Sequence, residues 1–369
     1  MNFWIVTSVL AFLLSFVAAR ILIYQILLIA FRRSLFDLPN ERKIHRVAVP
    51  RLGGTSFKPV VCFSLAILLG ISLLLGYDDL AKAFAGESRL WSLFLSSVIV
   101  LYFVGLTDDL VGVRYRVKFV AQIFCGLMMI AGGLYIESLH GLFFLDGMPL
   151  YLAYPLTILA VVFIINAINL IDGIDGLASG FCGVVLLYYG LMFLGLGEYL
   201  YSLLSFSVLG ALVAFFYYNV FGDARRGRKI FMGDTGSLTV GLTICFLGMK
   251  LMQSVSMESV PCTTNAFVLA FSPLIVPCFD VVRVFSVRIR NGRSPFLPDK
   301  NHIHHKLLAV GMSQCRAMMT IIFVSVVLTL LNIMLSQVLT LNLVFVCDII
   351  IWVLIDVGLN RCISNRRKA

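Results

Sequence analysis

Residues 150–168 read LYLAYPLTILAVVFIINAI, a stretch without one charged side chain, and run directly into NLIDGIDGL at 169–177. A hydrocarbon layer about 30 Å thick is crossed by roughly 20 apolar residues in a helix. The first stretch therefore predicts a transmembrane helix, and the second places a group of polar side chains at its mouth. Comparable runs lie at 3–29, 52–76, 89–106, 119–136, 178–196, 200–220, 237–255, 265–287, 316–335 and 341–360. With 150–168 they make eleven spans. The weakest stretch is 137–150, where the count shifts to ten or twelve. The 369-residue chain is 60% hydrophobic and 13% charged, whereas soluble domains are about a quarter charged. Open sheet edges cannot face lipid, and the gaps between runs hold no soluble domain. The expected fold is all-α, a polytopic transmembrane helical bundle forming one integral membrane domain over 1–369. The first run is too long for a signal-peptide core and lacks a basic leader, so it reads as a retained span.

Positive charge sets the expected orientation, because Lys and Arg are retained on the cytoplasmic side. Basic residues cluster from Arg32 to Arg51, at Arg114, Arg116 and Lys118, from Arg225 to Lys229, from Arg283 to Arg316, and from Arg361 to Lys368. These groups hold 24 of the 29 basic residues, all on one side if the N-terminus is outside and the C-terminus inside. The expected cytoplasmic loops are 30–51, 107–118, 169–177, 221–236 and 288–315. The net charge of +10 then reads as topology and attraction to anionic headgroups of membrane lipids rather than nucleic-acid binding. The nine cysteines form no C-x-x-C pair, and neither a zinc pattern nor a disulfide framework is present. No Walker or G-x-G-x-x-G loop occurs.

Ionisable groups at bilayer depth cost at least ~2.5–3.5 kcal/mol each on insertion scales, so clusters of them point to function. Four clusters fall on the basic side. Asp108-Asp109 closes the third span ahead of Lys118 and can hold a divalent cation, or divide the work between base and metal ligand. Asp78-Asp79 is the same dipeptide on the opposite side, without basic neighbours, and reads as solvated. Asn166, Asn169, Asp172 and Asp175 recur every third residue, with Gly173 and Gly176 loosening the helix end. Such a segment offers carboxamides and carboxylates to a metal and a nucleoside. Gly233-Asp234-Thr235-Gly236-Ser237 turns into a helix start, where free N–H groups attract anions and a carboxylate can hold Mg²⁺. Arg293 precedes His302-Ile-His304-His305, which can bind a metal, a phosphate or a sugar. Fixed carboxylates elsewhere suit a hard cation better than zinc. Carboxylates for a hard metal, cations for phosphates and a membrane floor together equip the chain for phosphoryl transfer between a lipid and a soluble phosphate ester.

In this order, from Lys43-Ile-His45 and Pro50-Arg-Leu-Gly-Gly54 to His302-Ile-His304-His305, the motifs resemble the polyprenyl-phosphate N-acetylhexosamine-1-phosphate transferase family over nearly the whole chain. The resemblance implies transfer of a sugar 1-phosphate from a UDP-sugar to undecaprenyl phosphate, with release of UMP, in the bacterial inner membrane. It implies Asp234 as Mg²⁺ ligand, or Mn²⁺ ligand, with Asn169, Asp108 and Asp109 close to the metal. One of that pair, more often argued to be Asp108, serves as base, and Lys118 neutralises phosphate charge. Asn166, Asp172, Asp175 and Asn219 match the nucleotide side, the last weakened by a basic insert at 222–229. Arg293, His302, His304 and His305 match sugar or phosphate contacts, and Lys43 and His45 a lipid-phosphate loop. His-Ile-His-His favours UDP-GlcNAc as donor over UDP-MurNAc-pentapeptide, whose branch carries three successive histidines; another UDP-N-acetylhexosamine and a homodimer both stay open. A transporter is the rival class, and it would spread its acids along the membrane depth. Asp280 with Arg283 reads as an i,i+3 ion pair, Asp356 lies near the basic side, and Asp348 has no account.

Overall fold

The computed structural model describes residues 2–33, 35, 49–145, 147–257, 265–292, 294 and 301–368. It is all-helical, with no β-strand among these residues. In chain order the helices are α1 (Asn2–Arg33), α2 (Phe57–Leu74), α3 (Asp79–Gly86), α4 (Ser88–Val111), α5 (Tyr115–Ala131), α6 (Leu150–Ile171) and α7 (Leu177–Gly195). There follow α8 (Tyr199–Val220), α9 (Gly233–Met257), α10 (Ala266–Phe271), α11 (Ile275–Arg290), α12 (Ile303–Ala309), α13 (Gln314–Leu335) and α14 (Leu341–Lys368).

Ten segments are long and apolar enough to cross a bilayer, and each coincides with one of the expected runs. The remaining run, 119–136, appears as α5, seventeen residues long, followed by a largely non-helical stretch. Gly133, at φ 88°, turns the chain out of the helix. Sequence hydropathy runs on across that turn because Leu134 and Ile136 are as apolar as the helix; both are buried, while α5 leaves Val120 and Leu127 exposed. The run 265–287 is broken into α10 and α11 by a 3₁₀ turn at Ser272–Leu274. Pro273, with its fixed φ and missing N–H, accounts for the break; hydropathy alone does not register it.

The bundle is organised around α9. In its spanning window 89% of residues are buried, against 28% in α1 and 17% in α14, so α9 is the axis and the terminal helices form the rim. Large side chains fill the middle of this core, as where Phe94 of α4 stacks on Phe246 of α9 with ring centroids 3.9 Å apart. At the polar end small residues take over. A β-carbon at Gly105 would stand 2.5 Å from the Thr235 Cα, and one at Gly54 would collide with the Gly236 backbone. Close backbone approach of this kind is how glycine strengthens helix packing in lipid, and here it draws the ends of α2, α4 and α9 onto one spot.

Candidate active site

That spot is where α4 ends and α9 begins. The first N–H groups of a helix lack intrahelical acceptors and carry partial positive charge. Asp109 satisfies them: its Oδ1 accepts the Asp234 N–H at 2.8 Å, and its Oδ2 accepts the Thr235 N–H at 2.9 Å and the Thr235 hydroxyl at 2.6 Å. Gly233, at φ 71°, leads into this arrangement, and a β-carbon there would press on the Asp109 carboxylate.

Asp108 points elsewhere. Its Oδ1 accepts the Val113 N–H at 2.8 Å, and its Oδ2 lies 2.8 Å from Nζ of Lys118 on α5. The same ammonium pairs with Asp234. Asn169, from the end of α6, donates to Ser237 Oγ at 2.8 Å and reaches Asp234 Oδ1 at 3.3 Å. Four segments of sequence therefore meet here: Asp108-Asp109, Lys118, Asn169 and Asp234-Thr235. Asp108, Asp109 and Asp234 are half-buried, and one oxygen from each lies within 4.8 Å of the others. An all-oxygen donor set of this kind fits a hard divalent cation. The Lys118 ammonium already occupies cationic ground between two of the three carboxylates.

The turn between α6 and α7 lies alongside. Asp175 Oδ2 is 2.5 Å from Lys229 Nζ. Asn219, buried near the end of α8, accepts the Gly176 N–H at 2.6 Å and donates to the Ile230 carbonyl at 2.9 Å. Both ends of its amide are thus engaged in joining the turn to the strand of chain that enters α9. Asn166 sits deeper on α6 and donates to Gln122 Oε1 at 2.6 Å and to the Val162 carbonyl at 2.7 Å. Among the residues expected on the nucleotide side, Asp172 is the exposed one. Its carboxyl is pushed up to about 7, first by the protein packed around the turn and then by the carboxylates of Asp234, Asp175 and Asp109, against the guanidinium of Arg51. The side chain itself is open to water, so the crowd of carboxylates is the firmer part of that shift.

The histidine segment closes on the same turn. Asp280 anchors it, accepting the Arg283 guanidinium at 2.7 Å and the Ile303 N–H at 3.1 Å, and meeting His302 Nδ1 at 2.8 Å. The expected Asp280–Arg283 pair is therefore present and has a further task. His304 is only 2% exposed and lies against Gly173, where any β-carbon would collide with its ring. Burial, with His305 and His302 nearby, drops its pKa to about 3, so it is a neutral ring at physiological pH. His305 stacks obliquely on it, centroids 4.3 Å apart. Asp356 of α14 receives Lys306 at 2.5 Å and Arg283 at 3.3 Å. Lys229, Gln122 and Ser237 are partners that motif spacing did not reveal, since each meets its polar partner only across the bundle. Lys43, His45 and Arg293 lie outside the described residues.

Residues 90–252 match the profile described as Glycosyl transferase family 4. The chain is 33% identical over 354 residues to a Bacillus subtilis protein named probable undecaprenyl-phosphate N-acetylglucosaminyl 1-phosphate transferase, covering 95% of this chain and 91% of that one. It is 30% identical over 308 residues to an Escherichia coli O157:H7 protein named undecaprenyl-phosphate alpha-N-acetylglucosaminyl 1-phosphate transferase, covering 83% and 78% respectively. A similarly named Salmonella typhi protein is 30% identical over 317 residues, covering 85% and 80%. With that extent of likeness and the acidic, lysine-bridged end of α4 and α9, the chain belongs to the polyprenyl-phosphate N-acetylhexosamine-1-phosphate transferase family.

Proposed function

We propose that this enzyme moves GlcNAc 1-phosphate from UDP-GlcNAc to undecaprenyl phosphate, forming undecaprenyl-diphospho-GlcNAc and UMP, at the cytoplasmic face of the bacterial inner membrane. The observation that carries the reading is the meeting of Asp108, Lys118, Asn169 and Asp234 at one end of the bundle. In such a transfer a phosphate oxygen of the lipid attacks the β-phosphorus of the donor, the bridging bond to the α-phosphate breaks, and UMP leaves with the electron pair. Positioning and charge neutralisation supply most of the catalysis.

Asp108 is the member of the pair assigned to orient or deprotonate the lipid phosphate, because its charge partner is the Lys118 ammonium, whereas Asp109 caps α9 with both oxygens. Lys118, shared between two carboxylates, can turn its ammonium toward incoming phosphate oxygens. Asp234, Asp108, Asp109 and Asn169 would hold Mg²⁺, or Mn²⁺, which when bound supplies Lewis-acid charge to the diphosphate. Asp172 stands at the open turn for the nucleotide, with His304 packed behind it as an uncharged wall. Among the described residues no activated Ser or Cys accompanies these groups, which supports a single in-line displacement without a covalent enzyme intermediate.

The test is UMP release by the purified full chain given undecaprenyl phosphate and a panel of UDP-sugars. Release with UDP-GlcNAc and loss of it in Asp234→Asn are expected, while Asp79→Asn, exposed on α3, keeps near-normal turnover. No release with any donor, or a phosphorylated aspartate trapped from donor alone, would sink the proposal or its mechanism respectively.

A further inference from the structure

Arg20 lies in the middle of α1, a helix of 32 residues whose length of roughly 48 Å exceeds the hydrocarbon layer. Its guanidinium rests over the rings of Phe16 and Tyr217, at 5.9 and 5.6 Å from their centroids. Tyr217 is in the last turn of α8, so Arg20 stands at the level where α8 leaves the bundle. Beyond that level α1 continues past the end of α8, burying Ile23, Leu27 and Ala30 on one face and passing beside the segment that joins α8 to α9 on another.

A cavity of about 780 Å³ opens between them, lined by Arg20, Arg225, Arg226 and Arg228 together with Asp223 and a belt of aromatic rings. The linker is folded to display these arginines. Asp223 caps a 3₁₀ turn over Ala224–Arg226 by accepting the Arg225 N–H at 2.8 Å. Gly227, at φ 66°, lays its backbone on Phe31, where a β-carbon would stand 2.7 Å from the ring. The one carboxylate of the lining is paired with Arg226 at 3.5 Å, leaving a strong excess of positive charge. The flank is apolar and uncovered by the described residues: Tyr24, Ile29, Tyr217 and Phe221 are 54%, 56%, 54% and 70% exposed. Arginines beside exposed aromatic rings suit the boundary between headgroups and acyl chains.

We propose that this cavity is a binding site for one anionic phospholipid of the surrounding membrane, with the phosphodiester on Arg20, Arg225 and Arg228 and an acyl chain along α1. Guanidinium forks match phosphate oxygens with paired hydrogen bonds, and charge complementarity selects an anionic over a zwitterionic headgroup. The site is separate from the acidic centre, yet the linker that forms it continues through Lys229, bound to Asp175, into α9. A seated headgroup therefore braces the segment that carries Asp234.

The experiment is native mass spectrometry of the full chain in a neutral detergent, titrated with phosphatidylglycerol, phosphatidylcholine or undecaprenyl phosphate. One phosphatidylglycerol retained in preference to phosphatidylcholine is expected. At about 1 kcal/mol per basic residue near a membrane surface, Arg225→Gln/Arg228→Gln weakens that adduct at least tenfold. Arg316→Gln/Arg361→Gln, which removes equal charge elsewhere, leaves it unchanged. Equal retention of phosphatidylglycerol and phosphatidylcholine, or an adduct indifferent to the Arg225/Arg228 change, overturns the site. Stoichiometric displacement of the bound phosphatidylglycerol by undecaprenyl phosphate would give the cavity to the lipid carrier and overturn the assignment as well. Because the readout is lipid retention, it is independent of sugar-phosphate turnover.

Discussion

Asp108 and Asp109 are adjacent in the chain and opposite in use. Both oxygens of Asp109 are held by α9, whereas Asp108 faces Lys118. Asp109→Ala should lower thermal stability in detergent by about 1–2 kcal/mol, the usual worth of a lost helix cap, as well as turnover. Asp108→Asn should lower turnover while leaving the melting temperature within a degree or two. Matched losses of stability in the two variants would contradict this division. An Asp-Asp pair in the sequence announces acidity but not the division of labour, because Thr235 is 126 positions from Asp109. For the same reason spacing offers the amides of Asn166 and Asn219 as nucleotide groups without showing the protein partners each of them also has. His304 makes a pH prediction. Its folded value of about 3 lies below its ordinary 6.5, so the unfolded chain binds the proton more readily. The stability it contributes is complete above pH 6.5 and is lost progressively as pH falls from there toward 3. The groups facing it, His302, His305 and Asp280, are intact in His304→Gln, whose melting temperature should decline less over that interval than that of the parent.

At the scale of helices, long apolar runs were legible wherever a continuous helix carries them, and less so where backbone geometry interrupts them. Pro273 divides one run, and Gly133 ends another. Polar groups inside spans carry the opposite lesson. Asp348, unexplained by spacing, accepts the Asn332 amide at 2.9 Å, joining rim helix α14 to α13 with both residues buried. Side-chain hydrogen bonds between membrane helices are worth roughly 0.6–2 kcal/mol. Asp348→Ala should therefore loosen α14 and lower the melting temperature, with Asp348→Asn close to normal and turnover in both largely kept at low temperature. Asp280 and Asp348 each have a protein partner, the pattern of structural anchors rather than of steps along an ion path. A strong turnover defect in Asp348→Asn would speak against that role.

For the whole molecule, composition and charge made the class of fold plain, while the number of crossings depends on α5. It lies antiparallel to α4 along its length: Lys118 meets Asp108 at one end, Cys125 Sγ reaches the Ser97 carbonyl at 3.5 Å midway, and Arg89 reaches the Gly132 carbonyl at 3.4 Å at the other. Seventeen residues rise only about 25 Å, yet with the turn at Gly132–Gly133 they cover the layer that α4 covers. We propose that α5 adds an eleventh crossing to the ten long apolar helices, which would put Arg116 and Glu137 on opposite faces. Impermeant thiol labelling of Arg116→Cys and Glu137→Cys in otherwise cysteine-free protein should modify only the latter from outside intact cells. Labelling of both from one side would reduce the count to ten. The Lys118 bridge also bears on how such a protein is made. Asp108 finds Lys118 in the adjoining helix, but Asp234 lies 116 positions beyond that lysine. As the nascent chain enters the membrane, α4 and α5 can therefore leave the translocon as a hairpin whose acid and base already cancel. The later helix then brings Asp109 the N–H groups it still lacks, and the order of synthesis becomes an order of assembly.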